Sequence, residues 1–453
     1  MTSFLLVTIW SLFALYGIKK LNYISINILV LMCVFQNFIL IIASSNLSKE
    51  GFNLFIMVKE AYVVLLIANG LIKYGQISKF QFGCIICTIM IVVYGFIHGS
   101  SSMTGLLASI RQLYLPFIFF VLGSVCLKDS AQIRKVLLFF VKLMVVSAVF
   151  GWIEMAIGTN FWLKLGYKSF ATLKGTETGL SPEGVHGAFY SWDLGVRLRR
   201  MASFLAEPVI LGQLFAFALI VSIFIKGIFK NKLLKAITVV ILSLALLSTL
   251  AKGGIIIALF AFTFALGEIW HQRELSFWTR CAFVLILIGG IGYVICSGTN
   301  GVMHIAGLID NLRCLFVYPF GRGVGTVGNL GYNYGGRTEL LASGESFIGA
   351  AIGQMGVFAI VLYTYFYNKL FISLSKASQG KFYNVSRVSL WLNVGLLITS
   401  LVNNTAISFT SCFIFYIVAG SVYSAHKYDK ELTLNNKLKD VIYEKKHWNN
   451  NIS

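Results

Sequence analysis

The stretch "LRRMASFLAEPVILGQLFAFALI", residues 198–220, brings charged residues directly before a long apolar run. The arginines Arg199 and Arg200 and the pair Glu207–Pro208 precede apolar residues that continue to Ile220. An apolar run of about 17 to 25 residues is long enough to cross the hydrocarbon core of a bilayer. The stretch therefore predicts a membrane-spanning helix with charge at its entrance.

Similar apolar runs recur along almost the whole chain. Of its 453 residues, 57% are hydrophobic and 12% charged, and the mean hydropathy is +0.81. Soluble globular proteins carry about 25% charged residues, so the composition excludes that class. We expect an all-α polytopic membrane protein with about 13 spans, within a range of about 11–14. The predicted spans are 3–18, 24–44, 53–72, 82–98, 106–127, 136–157, 208–226, 234–251, 254–270, 277–297, 346–368, 388–403 and 407–424.

The basic residues are unevenly distributed over the connections. The chain has 37 Lys and Arg against 17 Asp and Glu, a formal net charge of +20. When alternate connections are assigned to one side, that side collects most of them, from Lys19 and Lys20 to the tail lysines Lys427–Lys446. Since Lys and Arg favour cytoplasmic loops, the C-terminal tail is predicted in the cytoplasm and the N-terminus outside. This basic fringe explains the charge without nucleic acid as a partner.

Two outward connections, 158–207 and 298–345, are much longer than the others. Long connections are commonly functional or disordered, and the many aromatic residues here argue against disorder. We expect two folded caps over a site on the outer face. They divide the chain into N-terminal helices (1–157), a first large loop (158–207), central helices (208–297), a second large loop (298–345), C-terminal helices (346–424) and a tail (425–453).

Both long loops bring arginines and a carboxylate to the start of a span. The residues are Arg199, Arg200 and Glu207 in the first loop, and Arg322, Arg337 and Glu345 in the second. Because arginine keeps its charge and binds phosphate bidentately, convergent arginines at the lipid interface suit an anchored diphosphate. The alternative for each arginine is contact with lipid headgroups or a link between the two loops. For Glu207, directly before Pro208, the alternative is capping of the helix that follows.

Charged residues also occur within or beside the spans, where an ionisable group indicates a functional site by default. Arg111 lies near the outer end of the fifth span, where it either joins the loop arginines or extends to the interface. Lys252 lies in an outward turn between the eighth and ninth spans and is predicted to face the same cavity. In the third span, Lys59 and Glu60 are expected to neutralise one another or charges on other helices.

Four strings resemble the O-antigen polymerase and ligase superfamily of bacterial envelope polysaccharide assembly. They are "RMASFLAEPVILGQ" (200–213), "LSTLAKGGIIIAL" (247–259), "PFGRGVGTVG" (319–328) and "GESFIGAAIGQMGVFAIVL" (344–362). The resemblance covers most of the chain in architecture and about 200–356 in motifs. Glu345 stands where the ligases of the superfamily carry histidine, which favours a Wzy-type polymerase. Lys252 stands where an arginine is common.

The resemblance implies a GT-C-like fold with two large periplasmic loops, in the bacterial inner membrane. The implied substrate is an undecaprenyl-diphosphate-linked oligosaccharide, transferred en bloc onto a growing chain, with membrane lipid, a chain-length regulator and a flippase as further partners. The predicted catalytic carboxylates are Glu345 and Glu207. The predicted diphosphate ligands are Arg200, Arg337, Arg322, Arg111, Arg199 and Lys252.

Other classes of site and function are also open. No metal ligand and no cofactor is predicted, because the outer histidines have no ligand-like spacing and the outer loops lack a DxD-type acidic pair. The string "GVGTVG" at 323–328 has the GxGxxG spacing but follows no predicted strand, so turn-forming glycines are expected there. The alternatives to a polymerase are a ligase that transfers polymer to a lipid core, and a lipid-linked oligosaccharide flippase or other transporter.

Overall fold

Long helices follow the apolar runs of the sequence. The computed structural model describes residues 2–75, 77–99, 102–176, 179–191, 196–269, 299–330, 345–378 and 382–450. Its first eight helices are α1 Thr2–Lys20, α2 Tyr23–Ala43, α3 Lys49–Tyr74, α4 Lys79–Ile97, α5 Met103–Cys126, α6 Ser130–Ile157, α7 Asn160–Lys164 and α8 Tyr167–Lys174. The others are α9 Pro208–Phe224, α10 Lys232–Thr249, α11 Lys252–Ile269, α12 Thr299–Val317, α13 Phe347–Met355, α14 Val357–Ala377, α15 Tyr383–Val402 and α16 Phe409–Asn450.

The chain is an all-α polytopic membrane protein. Within the described residues, nine helices are long and apolar enough to cross a membrane, namely α2 to α6, α10, α14, α15 and the first part of α16. The helices α9 and α11 are apolar but shorter. The predicted span 277–297 lies outside the described residues.

The predicted span 346–368 is wrong as a single helix, because it is broken at Gly356. There α13 ends and α14 begins, and Gly356 has the left-handed φ of +58°. The main chain after α12 fills the break: Val357 N–H donates to Pro319 O at 2.8 Å, and Arg322 N–H donates to Gly353 O at 2.8 Å. Glycines 323, 325 and 328 of the "GVGTVG" string have φ between +81° and +103°, as turn-forming glycines do.

The first part of the predicted second loop is helical. Residues 299–317 form α12, which the apolar-run criterion did not predict because Asp310, Asn311 and Arg313 interrupt its hydrophobic residues. This helix packs against α13 and α15. The first part of the predicted second cap therefore supports the broken helix.

The helix α9 is the central helix of the bundle. It packs against α6, α10, α11, α15 and α16, and nearly all its side chains from Leu211 to Ser222 are buried. A helix that is apolar on every side is expected to be buried, which is what the run after Glu207 indicated. On another side of the bundle, α5 and α16 cross at Gly123 and Gly420. A Cβ at either glycine would collide with a carbonyl oxygen of the other helix.

The described residues of 158–207 form a folded unit, hereafter the cap, at the end of the bundle where α9 begins. It contains α7, α8 and a two-stranded antiparallel hairpin of β1 (Tyr190–Ser191) and β2 (Leu198–Arg199). Trp162 and Phe189 are fully buried in it. The cap is fixed to α2 and the turn after it, because Asn37 Nδ2 donates to Leu205 O and Ser44 Oγ donates to Gly166 O.

Candidate functional site

The cap places a cation beside the carboxylate at the mouth of α9. Lys174, the last residue of α8, has its Nζ 3.0 Å from Glu207 Oε1. Glu207 occupies the N-cap position of α9, but its side chain makes no capping hydrogen bond. The structure therefore does not show the side-chain capping of α9 that was the alternative role for Glu207. The carboxylate is held by an ion pair across the cap.

The electrostatic surroundings of Glu207 are cationic. Burial alone raises the pKa of its carboxyl, but the charge and hydrogen bond of Lys174, the charge of Arg200 and, at the acidic pH where His186 is protonated, the charge of that imidazole together lower the pKa below its usual value. Burial also lowers the pKa of His186. Because both pKa values are lowered, Glu207 is ionised and His186 is mainly neutral near neutral pH.

Arg200 connects this ion pair to the turn between α10 and α11. Its main-chain N–H donates to Phe189 O in the cap, and its Nε donates to Thr249 O, each at 2.8 Å. The next residue, Met201, donates its N–H to Ser248 O at 3.0 Å. Since Lys252 begins α11 three residues after Thr249, the structure brings Arg200, Glu207 and Lys252 to one region.

A buried amide lies directly beneath this turn. Gln213, in the second turn of α9, is fully buried, and neither its Oε1 nor its Nε2 has a hydrogen-bond partner in the described part of the chain. Its Nε2 lies 3.3 Å, and Asn403 Nδ2 lies 3.1 Å, from the point where a Cβ on Gly253 would sit. Two amide donors therefore converge on the first turn of α11.

The segment that connects α15 and α16 lies between Arg111 and the first turn of α11. Arg111 NH1 pairs with Glu60 Oε1 at 2.6 Å, and Lys59 Nζ lies 4.1 Å from the centre of the Phe409 ring. The neighbouring Gln112 donates its Nε2 to both Asn404 O and Asn404 Oδ1 at 3.0 Å. Asn403 thus faces α11 and Asn404 faces α5, so one short segment connects the regions of Lys252 and Arg111.

Arg199 points into the cap, away from the turn that holds Lys252. Its NH2 lies 2.8 Å from Glu154 Oε2, a fully buried carboxylate on α6. The same carboxylate accepts hydrogen bonds from Trp162 Nε1 at 2.9 Å and from Ala202 N at 2.9 Å. This arrangement fixes the hairpin to α6, a role that differs both from the predicted diphosphate contact and from the headgroup or loop-to-loop contact that was its alternative.

The predicted residues of the second loop lie apart from one another or outside the described residues. Glu345 is exposed, directly before the N-terminus of α13. Arg322 lies at the other end of α13, with its guanidinium 5.1 Å from the Tyr318 ring centre. The nine residues of α13 span about 13 Å, so these two residues do not share one contact. Arg337 lies outside the described residues.

Sequence reasoning missed four residues that the structure places with Arg200 and Glu207. They are Lys174, His186, Gln213 and Asn403. An amide within the apolar run 208–226 was a signal that would have singled out Gln213, because a buried polar group needs a partner. No local pattern distinguishes Lys174 from the other lysines of the cap, since its pairing depends on how α8 packs over α9.

The chemistry of this arrangement follows from its charges and its place. Cations, a neutral imidazole and an ionised carboxylate lie at one end of a membrane-spanning bundle, above a buried amide. Within the described residues, no cluster of His, Cys, Asp or Glu suited to a metal ion is found. The cations of this set can bind the phosphate groups of an anionic ligand. The carboxylate can accept a hydrogen bond from a hydroxyl group beside them.

Comparisons with known proteins assign no family. No protein-family model matches the chain, and no curated protein matches it significantly. The all-α polytopic fold is supported by the helices themselves. The function has to be inferred from the arrangement of charged and amide side chains beneath the cap.

Proposed function

We propose that the chain is a glycosyltransferase that transfers lipid-diphosphate-linked oligosaccharide units en bloc onto a growing polysaccharide at the outer face of a bacterial inner membrane. The observation that carries the proposal is the cap-end cluster, defined as Lys174, His186, Arg200, Glu207 and the Lys252 turn. The cluster lies where α9 enters the bundle. A diphosphate anchored in the bilayer would reach such a position laterally.

The cations have a defined task in this reaction. The oxygen of an acceptor hydroxyl attacks the anomeric carbon of the donor, and the bond between that carbon and the diphosphate oxygen breaks. The electron pair leaves with the lipid diphosphate, whose developing charge Arg200 and Lys252 stabilise by preorganised positive charge. Arg111 and Arg337 stay predicted ligands of the same group, Arg111 from across the 403–407 segment.

The carboxylate receives or orients the hydroxyl proton. Glu207 is ionised because its pKa is lowered, so it is available as an acceptor throughout the neutral range. Its ion pair with Lys174 fixes the position of the carboxylate rather than raising its basicity. Glu345, exposed at the start of α13, is the second candidate for this role.

The broken helix α13–α14 raises a transporter as the alternative function. Discontinuous helices such as α13 and α14 occur in secondary transporters, where unwound main chain binds ions. Here the break at Gly356 is occupied by the chain from Pro319 to Gly323, whose main-chain N–H and C=O groups bond to both helices. The break is thus sealed by protein, which supports an enzyme more than a transport path.

The test is a chain-growth assay with the full-length protein in proteoliposomes. Lipid-linked repeat units isolated from the source membrane serve as both donor and acceptor, and products are separated by size. A ladder of lengths supports the polymerase. Transfer of preformed polymer to a lipid core would indicate a ligase, and unchanged units moved across the bilayer would indicate a transporter; either result overturns the proposal.

Two variants connect the assay to the cluster. Glu207→Gln and Arg200→Lys are each expected to lower the rate of ladder formation by about 10²-fold to 10³-fold, the effect of losing one preorganised group at a reaction centre. Lys232→Ala, which removes an exposed cation at the opposite end of the bundle, is the matched control. A normal ladder in both cluster variants, at normal membrane levels, would remove this cluster from the proposal.

A further inference from the structure

A polar cleft lies at the end of the bundle opposite the cap. Its wall includes Tyr74 at the end of α3, Gln81 near the start of α4, Ser124 near the end of α5, and Lys427 and Tyr428 on α16. The cap-end cluster lies near the other ends of these helices, so the cleft takes no part in the reaction proposed above.

The cleft concentrates positive charge. The ammonium of Lys128, which lines the cleft, lies 3.3 Å from the centre of the Tyr74 ring, and Lys73 approaches the same ring at 5.6 Å. Lys427 lines the cleft from α16 as a further cation. A site with this charge favours an anion.

Hydrogen-bonding side chains complete the polar wall. The floor is ordered, because Gln81 Nε2 donates to Ser124 Oγ at 2.7 Å and both side chains are buried. Tyr428 is half exposed at the rim. Hydroxyl and ammonium donors around an ordered floor match the acceptor oxygens of a phosphate group.

Two of the helices that line the cleft also expose large apolar side chains. Ile72 on α3 and Phe82 on α4, from helices that also line the cleft, expose 84% and 55% of their surface. In a membrane-spanning bundle, exposed apolar side chains contact acyl chains. A ligand with a phosphate headgroup and apolar chains therefore fits both parts of the surface, whereas a soluble phosphate would use only one.

We propose that this cleft is a binding site for the headgroup of an anionic phospholipid, with Lys128 and Lys427 as its cationic ligands. Basic pockets between spans on the cytoplasmic side bind such headgroups in membrane proteins. The predicted topology places this end of the bundle in the cytoplasm. The site is independent of the cap-end cluster. Its occupancy would depend on how much anionic lipid the surrounding leaflet contains.

Native mass spectrometry of the full-length protein in detergent tests the proposal. Phosphatidylglycerol, phosphatidylcholine and glycerol phosphate are added separately, and bound lipid is counted. We expect retention of phosphatidylglycerol alone. Each lysine near an anionic headgroup is worth about fivefold in affinity, so Lys128→Ala with Lys427→Ala should weaken binding about 25-fold.

The matched control is the pair Lys230→Ala with Lys376→Ala, which removes two exposed lysines at the same end but outside the cleft. It should retain the lipid. If the double variant of the cleft does not fold, Lys427→Gln alone, at an exposed position on α16, should show the fivefold loss. Equal binding by cleft and control variants, equal binding of phosphatidylcholine, or binding of glycerol phosphate as tight as that of lipid would each overturn the proposal.

Discussion

Arg199 and Glu154 form an ion pair of 2.8 Å in which the carboxylate has no exposure to solvent. The pair joins the β2 strand of the cap to α6, and the carboxylate also accepts hydrogen bonds from the Trp162 indole and the Ala202 main chain. Removing one partner of a buried ion pair is strongly destabilising, because the other charge is then buried without compensation. Arg199 therefore differs in role from its neighbour Arg200, which faces the turn before α11.

Removing the carboxylate should unfold the cap. Glu154→Ala leaves Arg199 and the Trp162 indole without their acceptor in a buried place, and we expect a loss of about 3–5 kcal/mol in the free energy of unfolding. The thermal midpoint of the detergent-solubilised protein measures this. Glu50→Ala, at an exposed position in the first turn of α3, is the control and should cost no more than about 1 kcal/mol.

The same measurement decides the role of Arg199. Arg199→Ala is expected to destabilise the protein together with any loss of chain growth, because Glu154 then lies buried without its cation. A variant that keeps its thermal midpoint and loses only activity would instead favour the predicted role of Arg199 as a diphosphate ligand.

The ion pair between Lys174 and Glu207 predicts a pH dependence. The folded-state pKa of Glu207 is lowered, so the pair contributes stability above the usual carboxyl pKa of 4.5, and this contribution is lost as the pH falls through the lowered value. In Lys174→Met the main opposing charge is gone while burial remains, so the pKa rises. On acidification, both the stability and the rate of chain growth should therefore begin to fall at a higher pH than in the native protein.

The control for this prediction is Lys168→Met, an exposed lysine on the same helix, α8. It removes the same charge without touching Glu207, and its pH profile should match that of the native protein. Superimposable acid limbs for Lys174→Met and Lys168→Met would contradict the electrostatic role assigned to Lys174.

Because the helix breaks at Gly356, adding a single methyl group at this residue should strongly lower the free energy of unfolding. At Gly356 the φ of +58° strains any other residue, and a Cβ would collide with the Pro319 carbonyl oxygen. We expect Gly356→Ala to lower the free energy of unfolding by at least about 2 kcal/mol. Gly267→Ala within α11, where no atom lies within 4 Å of the new Cβ, should be neutral or stabilise by up to about 1 kcal/mol.

Equal thermal midpoints for these two alanine variants would show that the break does not depend on the left-handed glycine. Such a result would also question whether the chain from Pro319 to Gly323 seals the break. Circular dichroism of both variants checks that helix content is preserved.

The membrane-spanning helices were predictable because the length and composition of an apolar run are local properties. The run at 346–368 shows the limit of this rule. Hydropathy is the same whether a helix is continuous or broken, and the break at Gly356 depends on the Pro319 carbonyl from a distant part of the chain. The helix α12 escaped prediction for the opposite reason, since it is helical without being apolar throughout.

The charged residues of the candidate site were also predictable as residue types, but their partners were not. Arg199, Arg200 and Glu207 stand within nine positions of one another, yet Arg199 pairs with Glu154 and Glu207 pairs with Lys174. Which cation meets which carboxylate is decided by the packing of α8 and the hairpin over α6 and α9. Sequence spacing contains no information on that packing.

The buried amide of Gln213 offers the sharpest separation of stability from function. An amide buried without hydrogen bonds lowers stability by about 1–3 kcal/mol, because its lost hydration is not replaced. Gln213→Met keeps the approximate side-chain volume and removes this cost, so we expect a higher thermal midpoint. If the amide serves the diphosphate at the first turn of α11, the same variant forms polymer more slowly.

Gln354 is the matched control for this prediction. It is buried to a similar degree, but its Oε1 accepts from Gly325 N at 2.9 Å and its Nε2 donates to Val327 O at 3.2 Å. Gln354→Met should therefore lower the thermal midpoint, since two main-chain groups lose their partners. A fall in midpoint for Gln213→Met as large as that for Gln354→Met would mean that protein groups bond the amide. A raised midpoint with unchanged chain growth would remove Gln213 from the candidate site.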